Sequence, residues 1–338
     1  MSRPVSCLIT GFSGMVGSHL ADHLLAATDW HVHGMIRWND DLTNVDHLLP
    51  RINDADRVRV VYGDLNDHGS LQRAVDAVRP DYVFHLAAQS YPKTSFSAPI
   101  ETLQTNILGT AALLEAIHHA RLSPVVHVCA SSEVFGRVPK ALLPIGEDAP
   151  FHPASPYAIS KVGTDLVGRF YAEAYGLCVM TTRMFTHTGP RRGDVFAEST
   201  FAKQIALIEE GRIEPVVRTG NLDSMRTWAD VRDAVRAYHL LVTKDPTPGA
   251  YYNIGGSFSC TVGDMLRHLL SLSTRDDIEV RTDPERLRPI DADLQVPDTS
   301  KFRAHTGWQP QIPFEQTMAD LLGYWRDRVR SGRNFLVR

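Results

Sequence analysis

Residues 7–17 read C-L-I-T-G-F-S-G-M-V-G, a short apolar run followed at once by a turn that carries three glycines. We predict a strand over residues 7–10 and a helix over residues 18–27. In such a turn the first glycine permits the tight reversal, the second lets the backbone approach a pyrophosphate, and the third allows close helix packing. This spacing at the first strand-to-helix junction predicts a dinucleotide-binding site formed by Gly11, Gly14 and Gly17.

Strands and helices alternate, with short links, through the first half of the chain. Predicted strands cover residues 31–36, 58–62, 82–86, 125–129 and 179–184, and predicted helices cover residues 67–78, 102–120 and a segment that begins at Tyr157. This pattern is typical of an α/β fold with a doubly wound parallel sheet, the Rossmann arrangement, whose ligands bind at the carboxyl ends of the strands. We predict a dinucleotide-binding domain over residues 1–185. A smaller C-terminal substrate-binding lobe would cover residues 186–338, with some segments returning to the main sheet.

The end of the second strand indicates which dinucleotide is bound. Sites selective for NAD usually place an Asp or Glu there, whereas this chain has Ile36 followed by Arg37, a cation suited to a 2′-phosphate. The sequence therefore favours NADP, with NAD as the alternative cofactor. The competing interpretation of Arg37 is a solvated loop charge.

Residues after the third and fourth strands complete the predicted cofactor site. Asp64, followed by Leu65, could accept a hydrogen bond from the adenine amino group, or it could cap the next helix. The small residues Ala87 and Ala88 would let the backbone lie against the nicotinamide half of the cofactor.

Residues 129–161 contain groups suited to moving protons around a hydride transfer. Ser131, Ser132 and Glu133 follow a predicted strand, and Tyr157 precedes Lys161 by four residues. On a helix this spacing places Tyr157 and Lys161 on one face, where the ammonium would favour the phenolate and bring its pKa closer to the working pH. The alternative is a chance Tyr-x-x-x-Lys spacing on an amphipathic helix.

Composition argues against several other classes of protein. The 338 residues include 35 Lys and Arg and 39 Asp and Glu, and no basic excess indicates a nucleic-acid partner. No apolar run approaches the roughly 18 residues of a membrane span. The 4 cysteines lack metal-ligand spacing and no signal peptide precedes the first strand, so we expect free thiols in the cytoplasm. For the 15 histidines we expect structural or surface roles rather than metal ligation.

Five motifs in one order give the chain a recognisable resemblance. They are T-G-F-S-G-M-V-G (10–17), H-L-A-A-Q-S (85–90), S-S-E-V-F-G (131–136), S-P-Y-A-I-S-K (155–161) and R-M-F-T-H-T-G-P-R-R-G-D (183–194). The chain resembles the extended short-chain dehydrogenases/reductases, and within them the GDP-mannose 4,6-dehydratase family. The resemblance extends to F-A-K-Q-I (201–205), G-N-L-D-S-M-R (220–226), L-R-P (287–289) and T-G-W-Q-P (306–310).

The resemblance implies roles for the residues singled out above. It implies that Ser131, Tyr157 and Lys161 form the hydride-transfer set, and that Glu133 serves as the acid/base of water elimination. The cofactor would be held by Gly11, Gly14, Gly17, Arg37, Asp64, Leu65, Ala87 and Ala88. The nucleotide sugar, with GDP-mannose favoured, would be bound by Ser132, Thr186, Lys203, Arg226 and Arg288. Each of these three cations alone is more often a solvated surface charge.

Some features of the resemblance concern specificity and assembly. Where the family reads F-N-H this chain has Thr186 in the middle position, and where the family reads R-D-[WF] it has Thr227. The first glycine motif reads G-M-V-G where family dehydratases often have G-Q-D-G. In resembling dehydratases the R-R-G loop, here Arg191 to Gly193, lies at a subunit interface, which implies a homodimer or homotetramer.

Three alternatives to the dehydratase remain open at this point. An NADPH-dependent GDP-4-keto-6-deoxy-sugar reductase or a nucleotide-sugar epimerase would use the same scaffold, and related reductases also carry Ser-Ser-Glu. From another class, the chain could be a dinucleotide sensor without catalysis. The intact Ser131, Tyr157 and Lys161 argue against a sensor, because binding alone needs no acid/base set.

Overall fold

Strands of the computed structural model form one large sheet and smaller ones over the residues that it describes, which are 3–54, 56–287 and 292–332. The strands are β1 (Ser6–Thr10), β2 (His31–Ile36), β3 (Val58–Tyr62), β4 (Tyr82–His85), β5 (Val125–Cys129), β6 (Cys178–Met184), β7 (His187–Thr188), β8 (Val216–Thr219), β9 (Met225–Asp230), β10 (Tyr251–Ile254), β11 (Phe258–Thr261), β12 (Glu279–Thr282) and β13 (Leu294–Gln295).

The large sheet has seven parallel strands in the order β10-β6-β5-β4-β1-β2-β3. The chain runs outward from β1 to β3, then returns to β4 on the other side of β1 and continues to β6. This reversal makes the carboxyl ends of β1 and β4 a topological switch point, where a crevice forms. The predicted doubly wound parallel sheet is confirmed. Its seventh strand, β10, comes from the second half of the chain.

Helices pack on both faces of this sheet and build the second half of the molecule. They are α1 (Met15–Ala27), α2 (Leu49–Asn53), α3 (His68–Val78), α4 (Pro92–Ser97), α5 (Pro99–Leu103), α6 (Gly109–His119), α7 (Pro156–Tyr175), α8 (Ala197–Glu209), α9 (Val231–Thr243), α10 (Val262–Ser271), α11 (Ser300–Thr306) and α12 (Phe314–Arg330). Short 3₁₀ turns cover Thr43–Leu48, Ser132–Phe135, Lys140–Leu142 and Pro284–Arg286, and a π turn over Gln104–Leu108 joins α5 to α6.

Two predicted helix boundaries differ from the structure. α1 begins at Met15 rather than Ser18, because Gly14 is its N-cap and accepts from Ser18 N at 3.0 Å. Gly17 therefore lies inside the first turn of the helix. The helix predicted over residues 102–120 begins earlier, at Pro99, whose fixed φ suits a first helical position, and the π turn interrupts it.

Apolar side chains fill both layers around the sheet. All five residues of β1 are buried, as expected of a central strand covered on both faces. On one face Leu20 and Leu24 of α1 share a cluster with Leu241 of α9, and the other face is covered by α3, α6 and α7. A separate cluster, which includes Trp228 and Leu322, stabilises the second half of the chain.

The second half of the chain is joined to the large sheet at several points. β9 pairs with β11, β13 and β7, and β8 pairs with β12. β7 follows directly after β6, and β10 returns to the large sheet beside β6. The four cysteines are free thiols. Among the described residues, no helix is both long and apolar enough to cross a membrane.

Candidate active site

A cleft of about 820 Å³ opens between the carboxyl ends of the large sheet and the smaller sheets. It contains most of the site residues that the sequence singled out. These are Gly11, Gly14, Gly17, Arg37, Ala88, Ser131, Ser132, Glu133, Tyr157, Lys161, Thr186 and Arg226. Residues far apart in the chain thus meet in one cleft, as the carboxyl ends of parallel strands lead us to expect.

Four predicted site residues lie outside this lining, and a fifth is not described. Asp64 accepts from Asn66 N at 2.9 Å, and Asp67 rather than Asp64 caps α3. Leu65 is buried, Ala87 packs its backbone against Gly11, and Lys203 pairs with Asp194. Arg288 falls outside the described residues.

Backbone alone occupies the space between the glycine turn and the fourth strand. Gly11 has φ +71°, and a Cβ there would lie 2.9 Å from Ala87 N. A Cβ on Gly17 would lie 2.2 Å from Gly11 O, so no side chain fits at either position. Gly14 has no side chain to accept from the first N–H groups of α1. These groups are therefore available to a pyrophosphate, which fits the predicted dinucleotide.

Thr10 fixes the turn after β4 against the glycine turn. Its hydroxyl accepts from Leu86 N and Ala87 N, both at 3.1 Å, and bonds His85 Nδ1 at 2.9 Å. Burial lowers the pKa of His85 to about 3, so its ring is neutral at pH 7. This buried contact was not predicted, because it depends on the pairing of β1 with β4, which the two separate motifs do not report.

Asn106 holds the same turn from the other side. In the π turn, its side chain accepts from Gln89 N at 2.8 Å and donates to Gln89 O at 2.9 Å and to Ser160 Oγ at 2.8 Å. The backbone carbonyl oxygen of Asn106 accepts from Thr164 Oγ1 at 3.0 Å. Asn106 therefore connects the turn after β4 to the helix that carries Tyr157. Sequence analysis missed it because a π turn has no simple periodicity.

α7 presents Tyr157 and Lys161 at its amino end. Ser155 caps the helix by accepting from Ala158 N at 3.0 Å, and Pro156 occupies the first helical position. Both predicted residues are buried and line the cleft, and Lys161 Nζ lies 5.9 Å from the centre of the Tyr157 ring. The predicted helical spacing is therefore correct.

The electrostatics around Tyr157 differ from the expectation. Burial raises the pKa of Tyr157, while a hydrogen bond from Ser131 and the charge of Arg192 act to lower the pKa. The ammonium of Lys161 donates to Cys129 O at 2.7 Å. Burial also lowers the pKa of Lys161. In the protein alone, the phenol form of Tyr157 is therefore favoured.

Ser131 and Glu133 reach the cleft from the end of β5. Ser131 Oγ accepts from Glu133 N at 3.2 Å and starts the 3₁₀ turn that carries Glu133. Gly136 ends this turn with φ +53°, and a Cβ there would lie 1.7 Å from His152 O. Glu133 is partly exposed within the cleft, near enough to Tyr157 to raise the pKa of the phenol further. A carboxylate and a phenol therefore face one space.

Cationic and polar side chains surround the other end of the cleft. Thr186 lines it directly after β6, and Arg226 donates from Nη1 to Ala292 O at 2.5 Å. Lys203 pairs with Asp194 at 2.7 Å, and the Lys203 side chain is only 6% exposed. Asp194 lines the cleft, whereas Lys203 does not.

The loop that carries R-R-G lines the cleft of its own chain. Arg191 Nη1 pairs with Asp22 Oδ2 at 2.7 Å, which attaches the loop to α1. Arg192 Nε pairs with Glu198 Oε1 at 3.0 Å, and its guanidinium lies over the Phe196 ring at 3.3 Å. The loop is thus held close to Tyr157, whose pKa Arg192 lowers.

Comparisons with known proteins agree with this geometry. The family model described as GDP-mannose 4,6 dehydratase matches residues 8–321. The chain belongs to the GDP-mannose 4,6-dehydratase family. GDP-mannose 4,6 dehydratase 2 of Arabidopsis thaliana is 33% identical, over 91% of this chain and 83% of its own. GDP-6-deoxy-D-mannose reductase of Pseudomonas aeruginosa is 31% identical, over 95% of this chain and 97% of its own.

Two similar solved structures contain nicotinamide cofactors. RMD from Pseudomonas aeruginosa, complexed with NADPH, is similar with a TM-score of 0.81 and 28% identity, over 96% of this chain and 99% of its own. DesIV is a dTDP-glucose 4,6-dehydratase from Streptomyces venezuelae with NAD and TYD bound. It also has a TM-score of 0.81 and 28% identity, over 96% of this chain and 98% of its own. A nicotinamide cofactor thus accompanies this fold in both structures.

Three more residues of this family member line the cleft without having been predicted. The buried Nε2 of His187 has no hydrogen-bond partner among the described residues, and burial with the Arg192 charge lowers the pKa of His187 to about 4. Tyr324 and Arg328 reach the cleft from α12. Only the F-x-H motif gave a signal for His187, and nothing local marks a cleft role for the last helix. Among the described residues, no three His, Cys, Asp or Glu side chains are grouped to hold a metal ion.

Proposed function

We propose that this protein is an NADP-dependent nucleotide-sugar 4,6-dehydratase, a lyase that converts GDP-mannose to GDP-4-keto-6-deoxy-mannose. The observation that carries the proposal is the meeting of Glu133, Ser131 and Tyr157 in one cleft with a glycine turn suited to a dinucleotide. Water elimination needs a base at C5 and an acid at the C6 hydroxyl, in addition to the hydroxyl groups that a reductase or a 4-epimerase uses. We assign both roles, the base at C5 and the acid at the C6 hydroxyl, to the carboxyl group of Glu133.

The chain's own groups account for the proton movements of this reaction. A nicotinamide cofactor held beside Gly11, Gly14 and Gly17 would supply the hydride acceptor for C4 and the hydride donor for C6. Tyr157 takes the proton of the C4 hydroxyl, a step that needs its ionised form, which the Ser131 hydrogen bond and the Arg192 charge favour against burial. Glu133 removes the C5 proton, which then leaves with the C6 hydroxyl as water. Glu133 is then a carboxylate again, and transfer of the Tyr157 proton to C5 returns Tyr157 to its ionised form.

We assign the remaining residues around these steps. Lys161 donates to Cys129 O and would act beside Tyr157, as a member of the hydride-transfer set that the resemblance implies. Arg37 would pair with the 2′-phosphate of NADP, which is why NADP is preferred in the proposal. Arg226 and Ser132 would bind the nucleotide sugar, with Thr186 beside the sugar. Lys203, which the resemblance also assigns to the sugar nucleotide, would act through its partner Asp194, which lines the cleft.

The proposal extends to the domains and to assembly. Residues 1–185 would bind the cofactor and residues 186–338 mostly the nucleotide sugar. We also propose a homodimer or homotetramer, on the resemblance of the R-R-G loop. Light scattering on the purified protein would measure this directly.

The second candidate is an NADPH-dependent reductase of the 4-keto-6-deoxy sugar. The 31% identity to GDP-6-deoxy-D-mannose reductase favours it specifically. The two activities differ in cofactor use, because a reductase consumes one NADPH for each product, whereas a dehydratase regenerates its cofactor.

The deciding experiment incubates the purified protein with GDP-mannose and no added NADPH. Product mass and the alkaline absorbance of a 4-keto sugar are followed, with Tyr157→Phe as the inactive control. We expect the loss of one water. An unchanged mass would contradict the dehydratase, and consumption of NADPH with the 4-keto-6-deoxy sugar would then establish the reductase.

A further inference from the structure

A carboxylate stands in the part of the cleft where the sequence indicated only a cation. Asp40 follows the end of β2 by four residues and lines the cleft together with Ser13, Arg37 and Asn44. Its side chain is 12% exposed, whereas that of Arg37 is 60% exposed. Sequence analysis overlooked Asp40, because the acidic residue of an NAD site is expected at the end of the strand itself.

Hydrogen bonds hold the Asp40 carboxylate against both Arg37 and the glycine turn. Oδ1 accepts from Arg37 Nε at 2.8 Å, and Oδ2 accepts from Arg37 N at 3.0 Å and from Ser13 Oγ at 3.2 Å. Asn44 Nδ2 donates to Ser13 O at 3.1 Å. The loop after β2 is thereby fixed beside the turn that contains Gly11 and Gly14.

The two charged groups favour different dinucleotides. The bond to Asp40 uses Arg37 Nε, and the two terminal nitrogens of the guanidinium fork are the ones suited to a phosphate. A carboxylate retains lone pairs for ribose hydroxyls, but it repels the charge of a 2′-phosphate at short range. Arg37 therefore favours NADP, while Asp40 favours NAD and weakens the preference for NADP.

We propose that Asp40 is a second determinant of cofactor choice, which leaves this protein able to bind both NADP and NAD. Arg37 would hold the 2′-phosphate of NADP, and Asp40 would accept from the ribose hydroxyls of NAD. The inference rests on the cofactor part of the proposed function but not on the sugar or on the reaction. The cofactor preference can therefore be tested by binding alone.

The test measures which cofactor the protein holds and how tightly. Cofactor that copurifies with wild type, Asp40→Asn and Arg37→Gln is extracted and quantified by chromatography, and calorimetry gives the Kd of NAD and of NADP for each protein. In wild type we expect the two Kd values to agree within about tenfold. Asp40→Asn should shift the preference toward NADP by about tenfold or more, and Arg37→Gln should shift it toward NAD by a similar factor, the size expected of one charge-assisted hydrogen bond.

Asp41→Asn is the matched control, because it removes the same charge one residue away. Its carboxylate accepts from Thr43 N at 2.9 Å instead of contacting Arg37 or Ser13. Asp41 also lines the cleft, so its charge can act on the cofactor, but we expect its substitution to shift the preference much less than Asp40→Asn does. Circular dichroism verifies that each variant is folded. If Asp40→Asn were unfolded, wild type and Arg37→Gln would still decide the question.

Several results would overturn the inference. One is a wild-type protein that binds NADP more than about a hundredfold more tightly than NAD. Another is a folded Asp40→Asn protein with an unchanged preference, which would reduce Asp40 to a loop contact. Failure to bind either cofactor would contradict the cofactor assignment as well. Binding of both cofactors by a protein that leaves GDP-mannose unchanged would contradict only the proposed reaction.

Discussion

Tyr157 and Lys161 illustrate what local spacing can and cannot predict. A four-residue step on a helix depends only on helix geometry, and α7 presents both side chains to the cleft as expected. In the protein alone, burial raises the pKa of Tyr157, and the Lys161 ammonium donates to Cys129 O. Burial depends on the whole fold, which spacing along one helix does not report.

Glu133→Gln should separate water elimination from cofactor binding. The amide keeps the size of the side chain but cannot take the C5 proton, so we expect turnover of GDP-mannose to fall by at least about a hundredfold. The Kd of NADP should stay within about twofold. Exchange of the C5 proton with deuterated solvent, measured by NMR, should be lost with the activity.

The matched control for this substitution is Glu101→Gln on the exposed surface of α5. We expect this variant to behave as wild type. Normal turnover by the Glu133 variant would remove the acid/base role proposed for that residue.

Among the elements, the π turn has a specific structural role. Regular strands and helices follow from periodicity and glycine placement, and the sequence predicted the first six strands of the large sheet. The π turn over Gln104–Leu108 and the loop that carries Asp40 were missed, since their geometry depends on partners distant in sequence. The hydrophobic pattern of α12 does not indicate that Tyr324 and Arg328 reach the cleft.

Asn106→Ala tests the connection that the π turn makes. The substitution leaves Gln89 N and Gln89 O without their side-chain partner in a buried setting, and Asn106 itself is 1% exposed. We expect the free energy of unfolding to fall by about 2–3 kcal/mol. Urea unfolding measures this loss, and a higher Kd for the cofactor should accompany it.

Asn66→Ala provides the comparison, because Asn66 is exposed and donates to Thr105 Oγ1 at 3.2 Å. Its unfolding free energy should change by less than about 0.5 kcal/mol. Equal losses in the two variants would contradict the special role of Asn106.

Over the whole molecule, neutral histidines lie buried in the sheet. Burial lowers the pKa of His85 and of His127 to about 3 each, and His127 Nε2 bonds Thr182 Oγ1 at 2.8 Å. The two rings occupy β4 and β5 beneath the cleft. When the chain unfolds, each ring regains an ordinary pKa near 6.5.

Stability should therefore fall as the pH decreases below about 6.5. Both histidines are neutral in the folded protein and become protonated on unfolding, so the unfolded state binds more protons and is favoured by acid. The effect is up to about 1.4 kcal/mol per pH unit for each ring. Urea midpoints at pH 7 and pH 5 measure it.

His127→Phe should lower the number of protons taken up on unfolding by about one and so make the pH dependence of stability weaker. The substitution His68→Gln at an exposed position should leave this dependence unchanged. An identical pH dependence in wild type and His127→Phe would show that His127 does not take up a proton on unfolding.

The path of the chain between its two halves limits how this molecule can move. The chain leaves the large sheet after β6, pairs β7 with β9, returns as β10 and leaves again to form β11. A hinge that parted the halves would have to stretch these connections together, and such motion is easiest where few segments cross. We therefore expect ligands to enter the cleft directly from solvent. Small loop adjustments, rather than closure of one half of the chain onto the other, would accompany binding.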